Sequence, residues 1–191
     1  PYWELPVLVQ RLCGICPVSH HLAAAKATDQ IVGVNQLTAT AEKIRRLMHY
    51  GQTLQSHALH FFHLCSPDLL FGYDDDVRHR NIIGVIEDYP DIARQGVMLR
   101  KFGQDVIRLT AGKRVHGTGA IPGGVNKSLN ADEVKYLQKD LPDVIDWAQQ
   151  AVTLIRRIID QQPDYHRDFA RIESNMLSLQ GPDDLLELYD G

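Results

Sequence analysis

Apolar side chains recur along this chain at intervals of three and four residues, the spacing that gathers them on one face of an α-helix. The longest such stretch covers residues 38–64 and predicts one long helix. Its apolar stripe consists of Ile44, Leu47, Met48, Gly51, Leu54, Ala58, Phe61, Phe62 and Cys65. Strict alternation of apolar and polar residues, which is typical of half-buried strands, is scarce, so the pattern predicts a mainly α fold.

Two further long helices are predicted downstream. One covers residues 91–111 and meets Gly112, a residue favoured at the left-handed position that ends a helix. The other begins after Asn130, which forms a capping pair with Glu133, and continues to residue 159. Pro142 lies inside this pattern, and proline removes a backbone donor and clashes with the preceding turn. We therefore expect a kink or a break into two helices at Pro142.

The remaining segments predict shorter elements. Short helices are expected over residues 17–33, 78–88 and 164–176. The best strand candidate is the brief apolar run at 7–9, and residues 66–76 and 112–129 are predicted loops. Both loops are too short and too apolar to separate independent domains, so residues 1–191 are expected to form a single helical unit.

Composition and charge narrow the class of protein. The chain has 191 residues, 44% of them hydrophobic, so it can bury a core of its own. Its 20 basic and 24 acidic residues give a formal charge of −4. Proteins that grip phosphate backbones carry a basic stripe, whereas the arginine pairs at 45–46 and 156–157 stand isolated among acids, which argues against nucleic acid as a partner.

The sequence shows neither a predicted membrane-spanning helix nor a secretory signal. No uncharged apolar run reaches the roughly 18 to 20 residues of a membrane-spanning helix. The chain begins at Pro1 without an initiator methionine, and it lacks the basic and apolar regions of a secretory signal. We therefore expect an internal fragment of a longer protein.

The sharpest chemical feature is the segment from Arg11 to His20, in which two residues separate Cys13 from Cys16. Pro17 suits the first position of the helix that follows. A Cys-x-x-Cys pair at a helix N-terminus lets two sulfurs converge, and the positive end of the helix dipole favours the thiolate that binds soft transition metals. His20, one turn further on, is placed to hydrogen-bond a sulfur, and Arg11 adds positive charge. The segment therefore predicts a metal or redox site.

Several interpretations of the cysteine pair stay open on these residues alone. A bare Cys-x-x-Cys occurs in zinc sites, thiol oxidoreductases and iron-sulfur proteins, and also by chance in a packed core. A structural zinc site needs four ligands, and the chain offers only Cys65 and scattered histidines beyond the pair. A thioredoxin-like dithiol would require a βαβ pattern, which is absent around the motif.

A second group of potential ligands lies on the longest predicted helix. His57, His60 and His63 recur every three residues and spread over about 120° of the helix circumference, so two of them could share a metal. We favour surface or hydrogen-bonded histidines, since only Cys65 could complete the set. Cys65 itself is interpreted as a buried small apolar residue.

Residues 11–20 match the pattern RxCGxCxxxH, which resembles the first metal-binding motif of nickel-iron hydrogenase large subunits. The extension through residues 21–27, with Pro1-Tyr2-Trp3-Glu4 just upstream, looks most like the large subunit of the cytoplasmic NAD-linked, bidirectional hydrogenases. The resemblance implies the long-helix bundle of that subunit, and it is weakest after Asn130. Further segments that agree are residues 40–47, 61–72, 112–117 and 121–126.

Carried over to this sequence, the resemblance implies that Cys13 is a terminal thiolate ligand of nickel and that Cys16 bridges nickel and iron. His20 would then lie beside the bridging sulfur without binding a metal, with Arg11 nearby. In the family, iron also carries carbon monoxide and cyanide, and two more cysteines come from a C-terminal DPCxxC motif that residues 1–191 lack. The fragment alone is therefore expected to be inactive.

The implied activity is the reversible heterolytic cleavage of dihydrogen to protons and electrons. Cys13 would serve as ligand and as transient proton acceptor, because coordination lowers the pKa of a thiol. The expected partners are an iron-sulfur small subunit and a flavin diaphorase module, so neither NAD nor flavin should bind this chain, and the expected location is cytoplasmic. Two rival classes stay open. One is a non-catalytic relative such as the complex I subunit of this fold, against which the intact cysteine pair argues, and the other is a thiol redox or zinc protein.

Overall fold

The computed structural model describes residues 1–190 and is built mainly from α-helices, which confirms the predicted fold class. The helices are α1 (Leu5–Val9), α2 (Pro17–Ile31), α3 (Ala39–Leu59), α4 (Ser66–Phe71), α5 (Ile82–Asp88), α6 (Pro90–Ala111), α7 (Ala131–Gln161) and α8 (Pro163–Asp168). A hairpin of two short strands, β1 (Ala120–Ile121) and β2 (Gly124–Val125), lies between α6 and α7 in the chain. In the described part of the chain, no helix combines the length and the apolar character that a membrane crossing needs.

Residue contacts divide the chain into two compact units, Pro1–Gln149 and Gln150–Gly191. The second unit contains the end of α7, the short helix α8 and an isolated antiparallel bridge between Gln180 and Leu186. The first unit contains every element that bears on the site described below. A single helical unit over residues 1–191 stays a prediction.

The centre of the first unit is the contact between α3 and α6, where glycines let two helix backbones approach closely. A Cβ atom on Gly103 of α6 would lie 2.6 Å from the carbonyl oxygen of Gly51 on α3. A Cβ on Gly51 would in turn lie 2.7 Å from Cγ1 of Val106. Met48 of α3 and Ile107 of α6 are buried in the same core. Since packed interiors leave no spare volume, this contact fixes α3 rigidly against α6.

A buried ion pair fastens α2, α3 and the hairpin to one another. Arg45 of α3 donates from Nη1 to Oδ2 of Asp29 on α2 over 2.6 Å, and both side chains are buried. The remaining donors of Arg45 reach the carbonyl oxygens of Ile121 and Gly124, and the backbone N–H of Gly123 donates to Asp29 Oδ1. The charges and the hairpin carbonyls thus satisfy one another, as buried polar groups require.

His21 makes a second link between distant parts of the chain. It is buried on α2, and its Nδ1 lies 3.1 Å from the carbonyl oxygen of Pro6. The backbone N–H of Ala120 donates to its Nε2 over 3.1 Å. A carbonyl can only accept, so Nδ1 carries the proton and the imidazole is neutral. His21 therefore joins α1, α2 and β1 through one ring.

The capping prediction for α7 is confirmed. Oδ1 of Asn130 accepts from the backbone N–H of Glu133, and Oε2 of Glu133 accepts from the N–H of Asn130. The prediction that Gly112 ends α6 in the left-handed region is also confirmed, with φ at 83°. A break at Pro142 is wrong, because α7 continues from Ala131 to Gln161 with the proline inside it.

Several short elements differ from the predictions. The expected strand at 7–9 is part of helix α1, because a three-residue apolar run does not distinguish strand from helix and Pro6 favours a helix start. The expected loop at 66–76 begins with helix α4, which also carries a proline in its first turn. The long helix predicted for 38–64 changes at His60 into a π-helical stretch, His60–Cys65. The helix expected over 164–176 ends at Asp168.

Candidate metal centre

The two cysteines of the motif converge at the start of α2. Cys13 follows a short 3₁₀ turn, Gln10–Leu12, and Cys16 directly precedes Pro17, the first residue of the helix. The sulfurs are 2.7 Å apart, and the backbone N–H of Cys16 donates to Cys13 Sγ over 3.1 Å. Both thiols are free and partly buried. Pro17 at the first helical position confirms the prediction made from its ring geometry.

His20 joins the pair from one turn further along α2. Its nearest ring nitrogen and the sulfurs of Cys13 and Cys16 all lie within 4.8 Å of one another. Among the described residues, this is the one group of three or more histidine, cysteine, aspartate or glutamate side chains whose donor atoms lie close enough to share a metal ion. The sequence motif thus assembles in space, with three potential donors facing one point.

Hydrogen bonding makes the two thiols unequal. The pKa of Cys13 is lowered because its sulfur accepts from the Cys16 thiol and from the backbone N–H groups of Cys16 and Ile15. The pKa of Cys16 is raised because its thiol donates to Cys13, and burial and the neighbouring Cys13 charge act in the same direction. Of the two thiols, Cys13 is therefore the one that loses its proton first.

The loop between the cysteines is held through the carbonyl of Ile15. Nε2 of Gln52 donates to this oxygen over 2.9 Å, and Nε2 of Gln55 donates to it over 2.7 Å. Both glutamines belong to α3, and their side chains are only 1% and 4% exposed. One carbonyl therefore receives two amide donors from a single helix.

A second anchor reaches the carbonyl of Cys13. Nε2 of His116 lies 3.1 Å from this oxygen, and Nη1 of Arg11 lies 3.3 Å from His116 Nδ1. Arginine only donates, so Nδ1 is the acceptor and the Nε2–H of His116 donates to Cys13. His116 adopts a positive φ of 54° in the segment after α6. Arg11, predicted as a source of positive charge, thus acts on the loop through His116.

Sequence reasoning found Arg11, Cys13, Cys16 and His20 but missed the residues that hold the loop. Gln52, Gln55 and His116 lie 37 to 103 positions from the atoms that they contact. The helical pattern around Gln52 and Gln55 does not mark them, and His116 stands out only as a member of the family-like segment 112–117, with no role assigned. Gly14, between the two cysteines, is not required by sterics, since a Cβ there would meet no atom within 4 Å and its φ is not positive.

Two of the three histidines predicted on the helix at residues 38–64 make other contacts. Nδ1 of His57 donates to the carbonyl oxygen of Thr53 over 2.8 Å, as a hydrogen-bonded histidine is expected to do. Nε2 of His60 lies 3.3 Å from the sulfur of Cys65. Cys65 is partly rather than fully buried, and its pKa is raised by burial and by the charge of Asp68. The prediction of a buried, apolar Cys65 is therefore wrong in part.

The donor set suits a soft or borderline transition metal. Two sulfurs and an imidazole nitrogen favour nickel, iron, copper or zinc over the hard cations that carboxylates bind. Two thiolates are half of a four-sulfur site, so these residues fit a metal centre that is completed by further ligands.

Comparison with known proteins identifies the family. Residues 3–71 match the sequence profile of the nickel-dependent hydrogenase family. The chain is 43% identical over its whole length to the NAD-reducing hydrogenase HoxS subunit beta of Cupriavidus necator, of which it covers 41%. It therefore spans about two fifths of the length of this relative.

Solved structures agree with the sequence comparison. The crystal structure of an NAD+-reducing NiFe-hydrogenase in the H2-reduced state superposes with a TM-score of 0.96 at 54% identity, covering all of this chain and 42% of that one. The Ni-Fe-Se hydrogenase of D. vulgaris Hildenborough shares the fold, with a TM-score of 0.71 at 24% identity over 85% of this chain and 36% of that one. The resemblance seen in the sequence is confirmed, and the chain belongs to the nickel-dependent hydrogenase family.

Proposed function

We propose that Cys13 and Cys16 are ligands of a nickel-iron centre at which dihydrogen is reversibly cleaved to protons and electrons. The observation that carries this proposal is the convergence of the two sulfurs and His20 at the start of α2, in a chain whose relatives are named hydrogenases. The chain covers two fifths of these relatives. The complete activity is accordingly proposed for the whole protein and not for residues 1–191 alone.

The two thiolates have different roles in this proposal. Cys13 and Cys16 would hold the centre through their sulfurs, Cys13 as a ligand of nickel and Cys16 as a ligand of both metals. Two further cysteines complete the sulfur ligands, and iron carries carbon monoxide and cyanide. When bound, the centre supplies the metals that polarise dihydrogen and accept its electrons.

Cys13 also accepts a proton. Cleavage of one dihydrogen releases two protons and two electrons, and the first proton needs a base beside the metals. The Cys13 sulfur accepts hydrogen bonds from the backbone N–H groups of Cys16 and Ile15, and these donors are still present once Cys16 is a thiolate, so the loop supports negative charge on this sulfur. His20 lies beside the sulfurs, and Arg11 orients His116 toward the Cys13 carbonyl.

Electrons leave this chain through partners. A small subunit with iron-sulfur clusters receives them, and a flavin diaphorase module passes them to NAD, in keeping with the NAD-reducing relative. NAD and flavin bind to that module and not to this chain. A complex with these partners is proposed to work in the cytoplasm.

The same cysteine pair could instead serve thiol redox chemistry, because its shared proton and unequal pKa values are typical of a reactive dithiol. That alternative predicts a reversible disulfide between Cys13 and Cys16 and no nickel. If the chain is part of a zinc protein, the protein should contain stoichiometric zinc. If it is part of a non-catalytic relative, the protein should neither bind metal here nor oxidise hydrogen.

The test is metal analysis and activity of the complete enzyme carrying C13S, C16S or the matched control C65S. We expect C13S and C16S to lose nickel and hydrogen-dependent reduction of both NAD and an artificial dye, while C65S keeps them. Full nickel content in C13S and C16S would refute the proposal. Zinc in place of nickel, or a disulfide without metal, would favour the alternatives.

A further inference from the structure

The loop between Cys13 and Cys16 is held by side chains that leave both sulfurs available. Ile15 lies between the cysteines, and its carbonyl accepts from Gln52 and Gln55. The carbonyl of Cys13 accepts from His116. All of these bonds are made to the backbone of the loop, so metal binding to the thiols would disturb none of them.

The glutamine pair stands on α3 beside its close contact with α6. Gln52 and Gln55 are three positions apart on α3 and so lie on one face of the helix. Gly51, directly before Gln52, and the backbone of Gln55 both face Gly103 of α6, where an added Cβ would lie 2.6 and 2.7 Å away. The amide donors therefore stand on a helix whose backbone is packed directly against α6.

Two donors on one acceptor constrain the loop more than one donor does. A single hydrogen bond leaves a carbonyl free to swing about that bond, whereas two donors from a rigid helix fix both its position and its direction. Ile15 itself is half exposed, so packing of its side chain does not hold the loop. The amide pair is what sets the turn between the cysteines.

We infer that Gln52 and Gln55 are positioning residues, which hold the Ile15 carbonyl so that the sulfurs of Cys13 and Cys16 converge before any metal is bound. The inference rests on the proposed nickel site and adds how this chain prepares it. The two glutamines act through the loop backbone and touch no metal. Because both serve one carbonyl, removal of one amide leaves the other in place, and removal of both releases the loop.

The experiment uses the complete enzyme with Q52L, Q55L and the double variant, which replace the amides by an apolar group of similar size. Q138L, at an exposed position of α7, is the matched control. The measurements are nickel per protein, the electron paramagnetic resonance spectrum of the nickel, and the thermal unfolding midpoint. Residues that orient metal ligands cost about 10- to 100-fold in metal affinity when they are replaced. We expect the double variant to bind nickel about 10- to 100-fold more weakly, and so to contain less nickel per protein, with a shifted or broadened nickel signal. Each single variant should lose less nickel, and Q138L should match the wild type.

Wild-type nickel content and an unchanged nickel signal in the folded double variant would overturn the inference. If the double variant does not fold, the single variants decide, since a shifted signal in either supports the inference and unchanged signals in both overturn it. C13S separates this result from the proposed function. Nickel retained in C13S refutes the nickel site itself, whereas nickel lost in C13S but retained in the double variant refutes only the positioning role.

Discussion

Arg45 is fully buried against Asp29, and its guanidinium also reaches two carbonyl oxygens of the hairpin. The pair links α2, which carries the cysteine motif, to α3, which carries the glutamine pair. A buried charge is costly once its partner is removed, because no solvent replaces the lost contact. The geometry of the site therefore depends on an ion pair that contacts none of its thiols.

Replacing Arg45 by methionine should be strongly destabilising. R45M leaves the Asp29 carboxylate buried without its counter-charge, which typically costs about 3 to 5 kcal/mol. The neighbouring R46M is the control, because Arg46 pairs with Glu42 on the partly exposed side of the same helix and such pairs contribute about 0.3 to 0.5 kcal/mol. Chemical denaturation of both variants measures the difference. Equal losses in the two variants would contradict this account of the core.

His21 should make stability fall at acid pH. Burial lowers its pKa below the ordinary 6.5, and the charge of Arg45 acts in the same direction. The unfolded chain therefore binds the proton more tightly, so the stability that neutral His21 contributes is complete above pH 6.5 and is lost as the pH falls through the folded pKa. The free energy of unfolding of wild type minus H21Q should shrink from pH 8 to pH 5. A difference that stays constant over this range would show that the pKa of His21 is the same in the folded and the unfolded chain.

His79 should make stability fall as the pH rises, the opposite of His21. Its ring nitrogens lie 2.9 Å from Asp75 and 3.1 Å from Asp88, and the hydrogen bond to Asp75 is the main cause of its raised pKa. Its contribution is complete below pH 6.5 and is lost as the pH rises through the folded pKa. The thermal unfolding midpoint of the wild type minus that of H79Q should be larger at pH 5 than at pH 8. The reverse order would contradict the two ion pairs.

Gly103 should be required for both packing and the site. G103A places a Cβ against the backbone of Gly51 and Gln55, and overpacking of this kind costs about 1 to 3 kcal/mol. Because it displaces Gln55, the variant should also lower nickel content in the complete enzyme. G14A is the control for stability, since its Cβ meets no atom within 4 Å. Wild-type nickel content in a destabilised G103A would contradict this prediction, because it would show that the packing of α3 against α6 does not affect the cysteine loop.

The features that the sequence predicted well are local ones. The Asn130 cap, the Gly112 helix end and Pro17 at a helix start each depend on atoms within a few residues, so the sequence pattern specifies them. The short run at 7–9 is helical and not the predicted strand, because three apolar residues carry no periodicity that separates the two structures. Pro142 is accommodated inside α7, although proline disfavours a helix interior.

The site was predictable only in its local part. Cys13, Cys16 and His20 lie within eight consecutive residues, so the motif itself marks them as neighbours in space. The anchors on the loop come from α3 and from the segment after α6, and which carbonyl they reach depends on how those elements pack. Spacing along one sequence contains no such information, so Gln52, Gln55 and His116 emerged only from the structure.

The central claim is that Cys13 and Cys16 hold nickel. Anomalous diffraction from crystals of the complete enzyme, recorded on both sides of the nickel absorption edge, tests it most directly. The account predicts a nickel peak within bonding distance of both sulfurs, and no such peak in crystals of the C13S variant. A nickel peak elsewhere, a zinc peak between the sulfurs, or a metal-free disulfide between Cys13 and Cys16 would contradict it.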